Sequence, residues 1–315
     1  MIRIINRIWA KVFAVLIPKP ASVGNFNSLM LQATAAINSS KGARGTYKSL
    51  WDSEVRVFSQ WGEDGILDYL LDLAEISKPR ILEFGAGNFT ECNSRFAAEF
   101  RNASAYIVDQ REDLVPSAEA LDVYWRNEIY PINDFVTPDN AKIHLRKAKN
   151  LMGGIDVLSI DVDGNDYWIL ESLDLTEIEI LICEYNPLYG GTTACTVPRN
   201  DYFDRTAENV TWLHFGMSLL AAIQLLERFG LIFAGSNRAG NNAFFVRRNV
   251  LNKLPFDAPH VGNLNKFIDW RVRESRGQNS ELTYLHGNER KDSIKHCTLW
   301  NLEKQELMEV QDILG

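Results

Sequence analysis

Cysteine and histidine are scarce in this sequence, which limits the metal sites and disulfide frameworks that it can build. The chain of 315 residues contains four cysteines and five histidines. The cysteines, at positions 92, 183, 195 and 297, lack the spacing of a zinc site. Because Cys92 and Cys183 fall beside or within predicted core elements, we expect reduced, buried thiols and a cytoplasmic protein.

The sequence also lacks a long apolar run and an excess of positive charge. No apolar stretch reaches the roughly 20 residues of a membrane-spanning helix. The net charge of −8 argues against a nucleic-acid surface as the main function. A composition that is 46% hydrophobic and 23% charged is typical of a soluble globular protein. The length allows one large α/β domain with extensions, or two small domains.

Residues 1–20 have the pattern of an amphipathic helix. Arg3, Arg7 and Lys11 recur every four residues among apolar neighbours, and two prolines end the pattern. Lys11 interrupts the apolar part, so a secretory signal fits poorly. Two interpretations stay open. Residues 1–17 make a peripheral contact with the inner face of a membrane, or the helix packs on its own domain or on a second subunit of a homo-oligomer.

A glycine-rich turn follows the first predicted strand. Arg80–Phe84 predicts a buried strand, Gly85 and Gly87 allow a tight turn, and a helix is expected to begin near Thr90. The dinucleotide fingerprint needs a third glycine where Thr90 stands, which argues against a pyrophosphate cofactor. The alternative is a strand-to-helix turn whose glycines serve geometry alone.

Acidic residues at two strand ends favour S-adenosylmethionine as the cofactor. Glu83 lies just before the glycine turn, and Asp109 ends the next apolar run. The ammonium, sulfonium and ribose of this cofactor suit acidic partners, and Asp109 is placed to accept from both ribose hydroxyls. After the third predicted strand, Asp134 and Phe135 are candidates to contact the adenine, or they form an ordinary polar loop with one core aromatic residue.

The remaining apolar runs predict a doubly wound α/β fold with a seven-stranded, mostly parallel sheet. The last two predicted strands form an antiparallel hairpin. We therefore divide the chain into a helix and linker, residues 1–50; a Rossmann-like domain, residues 51–250; and a C-terminal extension, residues 251–315. The long connection 187–211 predicts a lid or a substrate wall. The extension contains the basic cluster Trp270–Arg276, a solvated helix face or a site for anions and lipid headgroups, and a predicted helix over Leu302–Ile313.

Carboxylates cluster after the fourth and fifth predicted strands. Asp161, Asp163 and Asp166 follow one strand and Glu184 follows the next. Asp166 can be explained as a helix cap, whereas Asp161 directly follows a buried strand and cannot. A calcium loop is disfavoured because Ser172 stands where its glutamate is required. Ligands of open α/β sheets bind outside the carboxyl ends of the strands, so these residues predict an enzyme pocket.

Two chemical roles are open for this cluster. Transfer of a methyl group to an alcohol needs a group that takes the hydroxyl proton, and Asp161, Glu184 or His214 could do so. Alternatively, Asp161, Asp163 and Glu184 hold Mg²⁺, which prefers oxygen ligands. His214 has a further interpretation, as a packed residue of the protein interior.

Four segments resemble class I methyltransferases of the FkbM type. The resemblance covers about residues 55–250 and is carried by Glu83–Gly87, Ser159–Asp166, Cys183–Asn186 and Asn242–Val246. It implies O-methylation of hydroxyl groups, often on sugars or polyketides, with Glu83, Gly85, Gly87 and Asp109 at the cofactor. A non-catalytic scaffold in a membrane-associated glycan assembly is the alternative. We disfavour a nicotinamide-dependent oxidoreductase because of Thr90.

Overall fold

The computed structural model of the protein describes residues 23–269 and 271–313. The predicted helix over residues 1–17 and Trp270 therefore lie outside the described residues. The chain divides into two compact units, residues 1–42 and 43–315. The first contains helix α1, Val23–Ser40, which has 18 residues and occupies much of the segment that we predicted as a linker. Seven of the eight residues 29–36 are leucine, methionine, glutamine or alanine, which are good helix formers and favour a helix there.

The second unit is built on a seven-stranded sheet in the order β3-β2-β1-β4-β5-β8-β7. The five strands β1 to β5 are parallel, and β8 runs antiparallel to both β5 and β7. This arrangement confirms the predicted fold class. The strands are β1, Arg80–Phe84; β2, Ser104–Asp109; β3, Ile129–Asn133; β4, Val157–Ile160; β5, Ile180–Glu184; β7, Leu231–Ser236; and β8, Asn242–Arg247.

Helices cover both faces of the sheet. The described helices of the second unit are α2, Glu63–Leu73; α3, Ser94–Arg101; α4, Leu114–Glu119; α5, Asp122–Arg126; α6, Pro138–Met152; α7, Asp166–Ser172; α8, Arg205–Glu208; α9, Leu219–Glu227; α10, Arg248–Leu251; and α11, Asn288–Ile294. Short 3₁₀ helices are formed by Lys41–Thr46, Leu50–Ser53, Pro187–Tyr189, Asn265–Phe267 and Val310–Ile313. Side chains of neighbouring residues such as Ile81 and Leu82 belong to different apolar clusters, one on each face. A strand covered on both faces reads as a continuous apolar run.

The C-terminal extension forms a second sheet instead of the predicted helix over Leu302–Ile313. Strand β9, Thr298–Asn301, pairs antiparallel with β10, Glu306–Glu309, and with the short strand β6, Cys195–Thr196. The Asn301 side chain accepts hydrogen bonds from two backbone N–H groups of the turn that follows. These local bonds favour a hairpin over a helix. Residues 251–315 thus belong to the same compact unit as residues 43–250.

The predicted helix near Thr90 begins later, at Ser94, because the chain turns first. Phe89 is fully buried with a positive φ of 65°, so the backbone there is not helical. The connection between β2 and β3 contains two short helices, α4 and α5. The basic cluster Trp270–Arg276 is not the solvated helix face that was one of its two interpretations, because no helix forms over the described residues 271–276.

Candidate active site

A cavity of about 770 Å³ lies at the carboxyl ends of the parallel strands. Gly85, Asp109, Asp161 and Glu184, which end or directly follow β1, β2, β4 and β5, line it. The volume is within the range of small-molecule sites. The aromatic residues that also line the cavity are Trp61, Phe135, Tyr202, Phe203 and Trp212. The predicted pocket is therefore present, and its walls combine carboxylates with aromatic rings.

Gly85 is required by the close approach of two loops. Its φ is +85°, and a Cβ at this position would overlap the carbonyl oxygen of Asp161. Gly87 has a φ of +57°, and a Cβ there would make only an ordinary contact, so the backbone conformation alone favours glycine. The N–H of Gly87 donates to Oδ2 of Asp109 at 2.7 Å, which joins the glycine turn to the end of β2. Of the two glycines, Gly85 lines the cavity.

Asp109 lies between the glycine turn and the cavity. Its Oδ1 accepts the backbone N–H of Arg111 at 2.9 Å, so each oxygen already has one backbone donor. A carboxylate oxygen accepts more than one hydrogen bond, which leaves capacity for a ligand diol. The two backbone donors fix the orientation of the carboxylate. Asp109 thus lines the cavity, and its contact with a ribose stays a prediction.

Glu83 does not lie in the cavity, although the sequence predicted a cofactor contact. Its Oε1 accepts the N–H of Asn93 at 2.8 Å, and its Oε2 accepts the N–H of Ser94 at 3.0 Å. The side chain is 3% exposed and is not among the residues that line the cavity. Glu83 therefore stabilises the start of helix α3, where free N–H groups and the helix dipole favour a carboxylate.

Asp134 and Phe135 both line the cavity, next to Asp109. Oδ2 of Asp134 is 3.0 Å from Nε2 of His144, whose Nδ1 lies 3.1 Å from the hydroxyl of Tyr106. This chain of polar contacts orients the Asp134 carboxylate. The ring of Phe135 is nearly parallel to that of Tyr202, at 21° with 6.4 Å between centroids. The two predicted adenine contacts thus share one wall of the cavity with an aromatic residue of the long connection.

Three carboxylates meet at the ends of β4 and β5. Oxygen atoms of Asp161, Asp163 and Glu184 all lie within 4.8 Å of one another. Glu184 is 7% exposed, and its Oε2 is buried without a hydrogen-bond partner. Burial raises the pKa of Asp161 and of Glu184 well above the ordinary values, and repulsion between the carboxylates adds to the effect. This pair therefore retains a proton at a pH where an exposed carboxyl has lost it.

Arg205 supplies a positive charge to this cluster, although no motif in the sequence indicated it. Its guanidinium pairs with Asp163, and its Nε and Nη2 donate to the carbonyl of Trp212 at 3.1 and 2.8 Å. The Cζ atom lies 4.0 Å from the ring centroid of Phe215. Burial lowers the pKa of Arg205, but the charges of Asp163 and Glu184 outweigh that effect and raise it. The guanidinium is thus a fixed cation in the cavity wall.

Asp166 organises the loop that carries Asp161 and Asp163. It is the first residue of α7, and its carboxylate accepts the N–H groups of Val162 at 2.9 Å and Gly164 at 3.0 Å. Burial raises its pKa to about 6. Asp166 does not line the cavity. Asp166 therefore has a structural role, but it is not the predicted helix cap, because Asn165 holds that position and the bonds of Asp166 go to the preceding loop.

His214 is packed away from the cavity, in contrast to its predicted role as a base. Its Nδ1 lies 3.0 Å from the hydroxyl of Tyr189, and its ring packs 6.4 Å from that of Phe203. The residue is 3% exposed, and burial lowers its pKa to about 4. The alternative interpretation, a packed residue of the interior, describes its position.

The long connection and the C-terminal extension both contribute to the cavity. Tyr202 to Thr206 line one side, which confirms the predicted wall. Val272 and Glu274 of the extension line it as well. Both lie within the basic cluster Trp270–Arg276, for which the sequence predicted no place in this cavity. Gln60 and Trp61, which precede α2, and Asn241 of the β7–β8 turn are further lining residues that were not predicted. Only the fold brings these distant segments together.

Comparisons with known proteins return distant solved structures. No family model and no curated protein sequence matches the chain. The N-terminal domain of EvdMO1 with SAH bound is 12% identical, with a TM-score of 0.36 over 57% of this chain and 78% of that one. A methyltransferase from Geobacter sulfurreducens is 17% identical, with a TM-score of 0.37 over 77% and 96%. The mitomycin 7-O-methyltransferase MmcR is 16% identical, with a TM-score of 0.31 over 75% of each chain. Similarity at this level does not identify a reaction, which has to be argued from the site.

Proposed function

We propose that the protein is an S-adenosylmethionine-dependent methyltransferase that O-methylates a hydroxyl of a sugar, a glycan precursor or a related small molecule. The observation that carries the proposal is the cavity at the ends of β1, β2, β4 and β5, with a fixed carboxylate at one end and a buried carboxylate pair at another. The first suits a ribose, and the second suits removal of a hydroxyl proton.

The glycine turn and the end of β2 form the cofactor end of the cavity in this proposal. Gly85 leaves room for a ligand against the backbone, and Asp109 accepts from the ribose hydroxyls. Phe135 packs on the adenine and Asp134 accepts from its amino group. The cofactor supplies an electrophilic methyl group on sulfur, and the residues named here bind and orient it.

The carboxylate pair takes the proton of the acceptor in this proposal. As the oxygen–methyl bond forms and the sulfur–methyl bond breaks, the hydroxyl proton moves to Asp161 or Glu184, leaving the methyl ether and S-adenosylhomocysteine. Burial and mutual repulsion raise the pKa values of the pair, which makes its carboxylate a stronger base than an exposed one. Arg205 stabilises the negative charge that develops at the acceptor oxygen.

Mg²⁺ bound by Asp161, Asp163 and Glu184 is the alternative source of acidity for a sugar diol. The oxygen donors suit this ion. Because the guanidinium of Arg205 already pairs with Asp163, the ion would compete with it for that carboxylate.

Aromatic rings beside carboxylates also suit a sugar, whose apolar face packs on a ring while its hydroxyls donate to acids.

The proposal is tested by incubating the protein with S-adenosylmethionine and a panel of free, nucleotide-linked and prenyl-phosphate-linked sugars. Formation of S-adenosylhomocysteine together with a mass increase of one methyl group on a sugar supports it. EDTA in a parallel reaction tests the requirement for Mg²⁺. Methyl transfer to nitrogen in place of oxygen would contradict the proposed acceptor class.

A further inference from the structure

Three positively charged side chains converge on the indole ring of Trp51. Nζ of Lys266 lies 4.7 Å from the ring centroid, and the Cζ atoms of Arg271 and Arg238 lie 5.4 and 5.7 Å from it. The three come from separate parts of the chain: the β7–β8 turn, the 3₁₀ helix Asn265–Phe267 and the segment after it. The fold therefore gathers these cations, and local sequence does not. We name the four residues the Trp51 cluster.

Acidic partners neutralise the Trp51 cluster only in part. Arg238 pairs with Glu54 at 3.3 Å, and Arg271 lies 3.8 Å from Asp269. Within residues 23–269 and 271–313, no carboxylate lies within 4.0 Å of the Lys266 ammonium group. Like charges gathered at one ring repel one another, and contacts with an indole offset that repulsion in part.

The polar groups of the Trp51 cluster are hydrogen-bond donors. Lysine and arginine carry donors and no acceptor. The indole Nε1 of Trp51 is also a donor, and it is buried without a hydrogen-bond partner. A ligand that fits a surplus of donors and of positive charge is an anion with several acceptor oxygens, as phosphate groups have.

The Trp51 cluster is adjacent to the cavity along the chain. Arg271 directly precedes Val272, which lines the cavity. The N–H of Arg271 donates at 3.0 Å to the carbonyl of Ala239, two residues before the cavity residue Asn241. The cavity itself is lined by seven carboxylates: Asp109, Asp134, Asp161, Asp163, Glu184, Asp204 and Glu274. A phosphate group would be repelled there and attracted to the cluster beside it.

We propose that Arg238, Lys266 and Arg271 form a phosphate-binding site beside the cavity. The assignment of this phosphate to the methyl acceptor rests on the proposed function: the acceptor is then a sugar joined to a phosphate or pyrophosphate. The sugar enters the acidic, aromatic cavity while the phosphate stays outside it at the Trp51 cluster. The binding site itself does not depend on methyl transfer.

Calorimetry with inorganic pyrophosphate on the full chain tests the site. We expect saturable binding that Lys266→Glu weakens at least about tenfold, the loss of one charge-assisted contact. Lys266→Arg should bind within about twofold of wild type, as should Lys291→Glu, a charge reversal at an exposed lysine of α11. Absence of pyrophosphate binding in the wild type, or equal binding by Lys266→Glu, would overturn the proposal.

Two further arms separate the sources of the phosphate and the two proposals. Co-sedimentation with phosphatidylglycerol vesicles that Lys266→Glu reduces indicates a lipid headgroup, and vesicle binding that the variant leaves unchanged indicates a soluble phosphate compound. If pyrophosphate binds to the wild type, either vesicle result is consistent with a phosphate-binding site at the Trp51 cluster. Binding of S-adenosylhomocysteine is measured on the same samples. If Lys266→Glu retains it, the loss of pyrophosphate binding comes from the Trp51 cluster and not from misfolding or failure of the cofactor site.

Discussion

The guanidinium of Arg205 pairs with the carboxylate of Asp163, at the edge of the three-carboxylate cluster where a divalent metal ion would bind. Arg205 donates two hydrogen bonds to the carbonyl of Trp212, and its guanidinium packs on the ring of Phe215. These contacts hold the arginine in place. One protein cation therefore already neutralises part of this cluster. Wild-type protein should accordingly bind divalent metal weakly at this site.

Removal of Arg205 should create a metal site. We expect Arg205→Ala to bind Mn²⁺ at least about tenfold more tightly than wild type, because three carboxylates then lack a nearby cation. Electron paramagnetic resonance of free Mn²⁺ measures the binding. Arg199→Ala, at an exposed arginine that also contacts acids, is the matched control and should behave as wild type. Tight, equal binding by all three proteins would instead favour the Mg²⁺ alternative.

The base assignment predicts separate outcomes for three variants. Asp161→Asn and Glu184→Gln should each lower kcat by about 10²- to 10⁴-fold, the usual contribution of a general base. Binding of S-adenosylhomocysteine should change little in both. His214→Ala should retain kcat within a few-fold, because the ring contacts Tyr189 and does not line the cavity. A large loss of kcat in His214→Ala with cofactor binding intact would refute the assignment.

The raised pKa values of Asp161 and Glu184 predict opposite pH trends for stability and activity. The pKa values of both carboxyls are higher in the folded than in the unfolded chain. The pair therefore adds most to the free energy of unfolding at a pH below its pKa values in the unfolded chain. This contribution is lost as the pH rises through its pKa values in the folded chain. Activity should rise with pH over the same range, because the base must lose its proton. Glu184→Gln should therefore be more stable than wild type at pH 8 and nearly equal at pH 4. Urea unfolding at both values checks this, and a wild type that gains stability relative to Glu184→Gln as pH rises would oppose it.

Residues 1–17 lead to a prediction that concerns the membrane. Among the residues that the structure describes, no helix combines the length and hydropathy that a membrane span needs. We propose that the basic, amphipathic segment contacts anionic lipid. Full-length protein should then float with phosphatidylglycerol liposomes, and deletion of residues 2–17 should abolish flotation. Equal flotation of both proteins would remove the membrane proposal, and a lower oligomer mass after deletion would favour packing against a second subunit.

The sequence predicted the sheet well because strands buried on both faces carry their own signal. Ile180 to Cys183, for example, is apolar at every position, as a central parallel strand requires. The carboxylates at the strand ends could be grouped because all parallel strands end at one edge. Asp161, Asp163 and Glu184 meet for this reason.

Two of the predictions from sequence, the cofactor contact of Glu83 and the helix over Leu302–Ile313, were wrong for physical reasons. Glu83 is one residue before the end of β1, and side chains in a strand alternate between faces. It shares a face with Ile81 and meets the start of α3, so its place near the strand end did not bring it into the cavity. The helix predicted over Leu302–Ile313 depended on charge pattern alone, whereas pairing with β9 decides the structure. Arg205 was missed because its position depends on the path of a long loop.

The most direct test of the account is calorimetric titration with S-adenosylhomocysteine. We expect wild-type protein to bind it and not NAD. Gly85→Arg should abolish binding, because any side chain there collides with the Asp161 carbonyl and fills the cofactor space. Asp109→Ala should weaken binding about 10- to 100-fold through loss of the ribose contacts. Asp113→Ala, at an exposed acid four residues away, should have no effect. Binding of NAD without binding of S-adenosylhomocysteine would contradict the account.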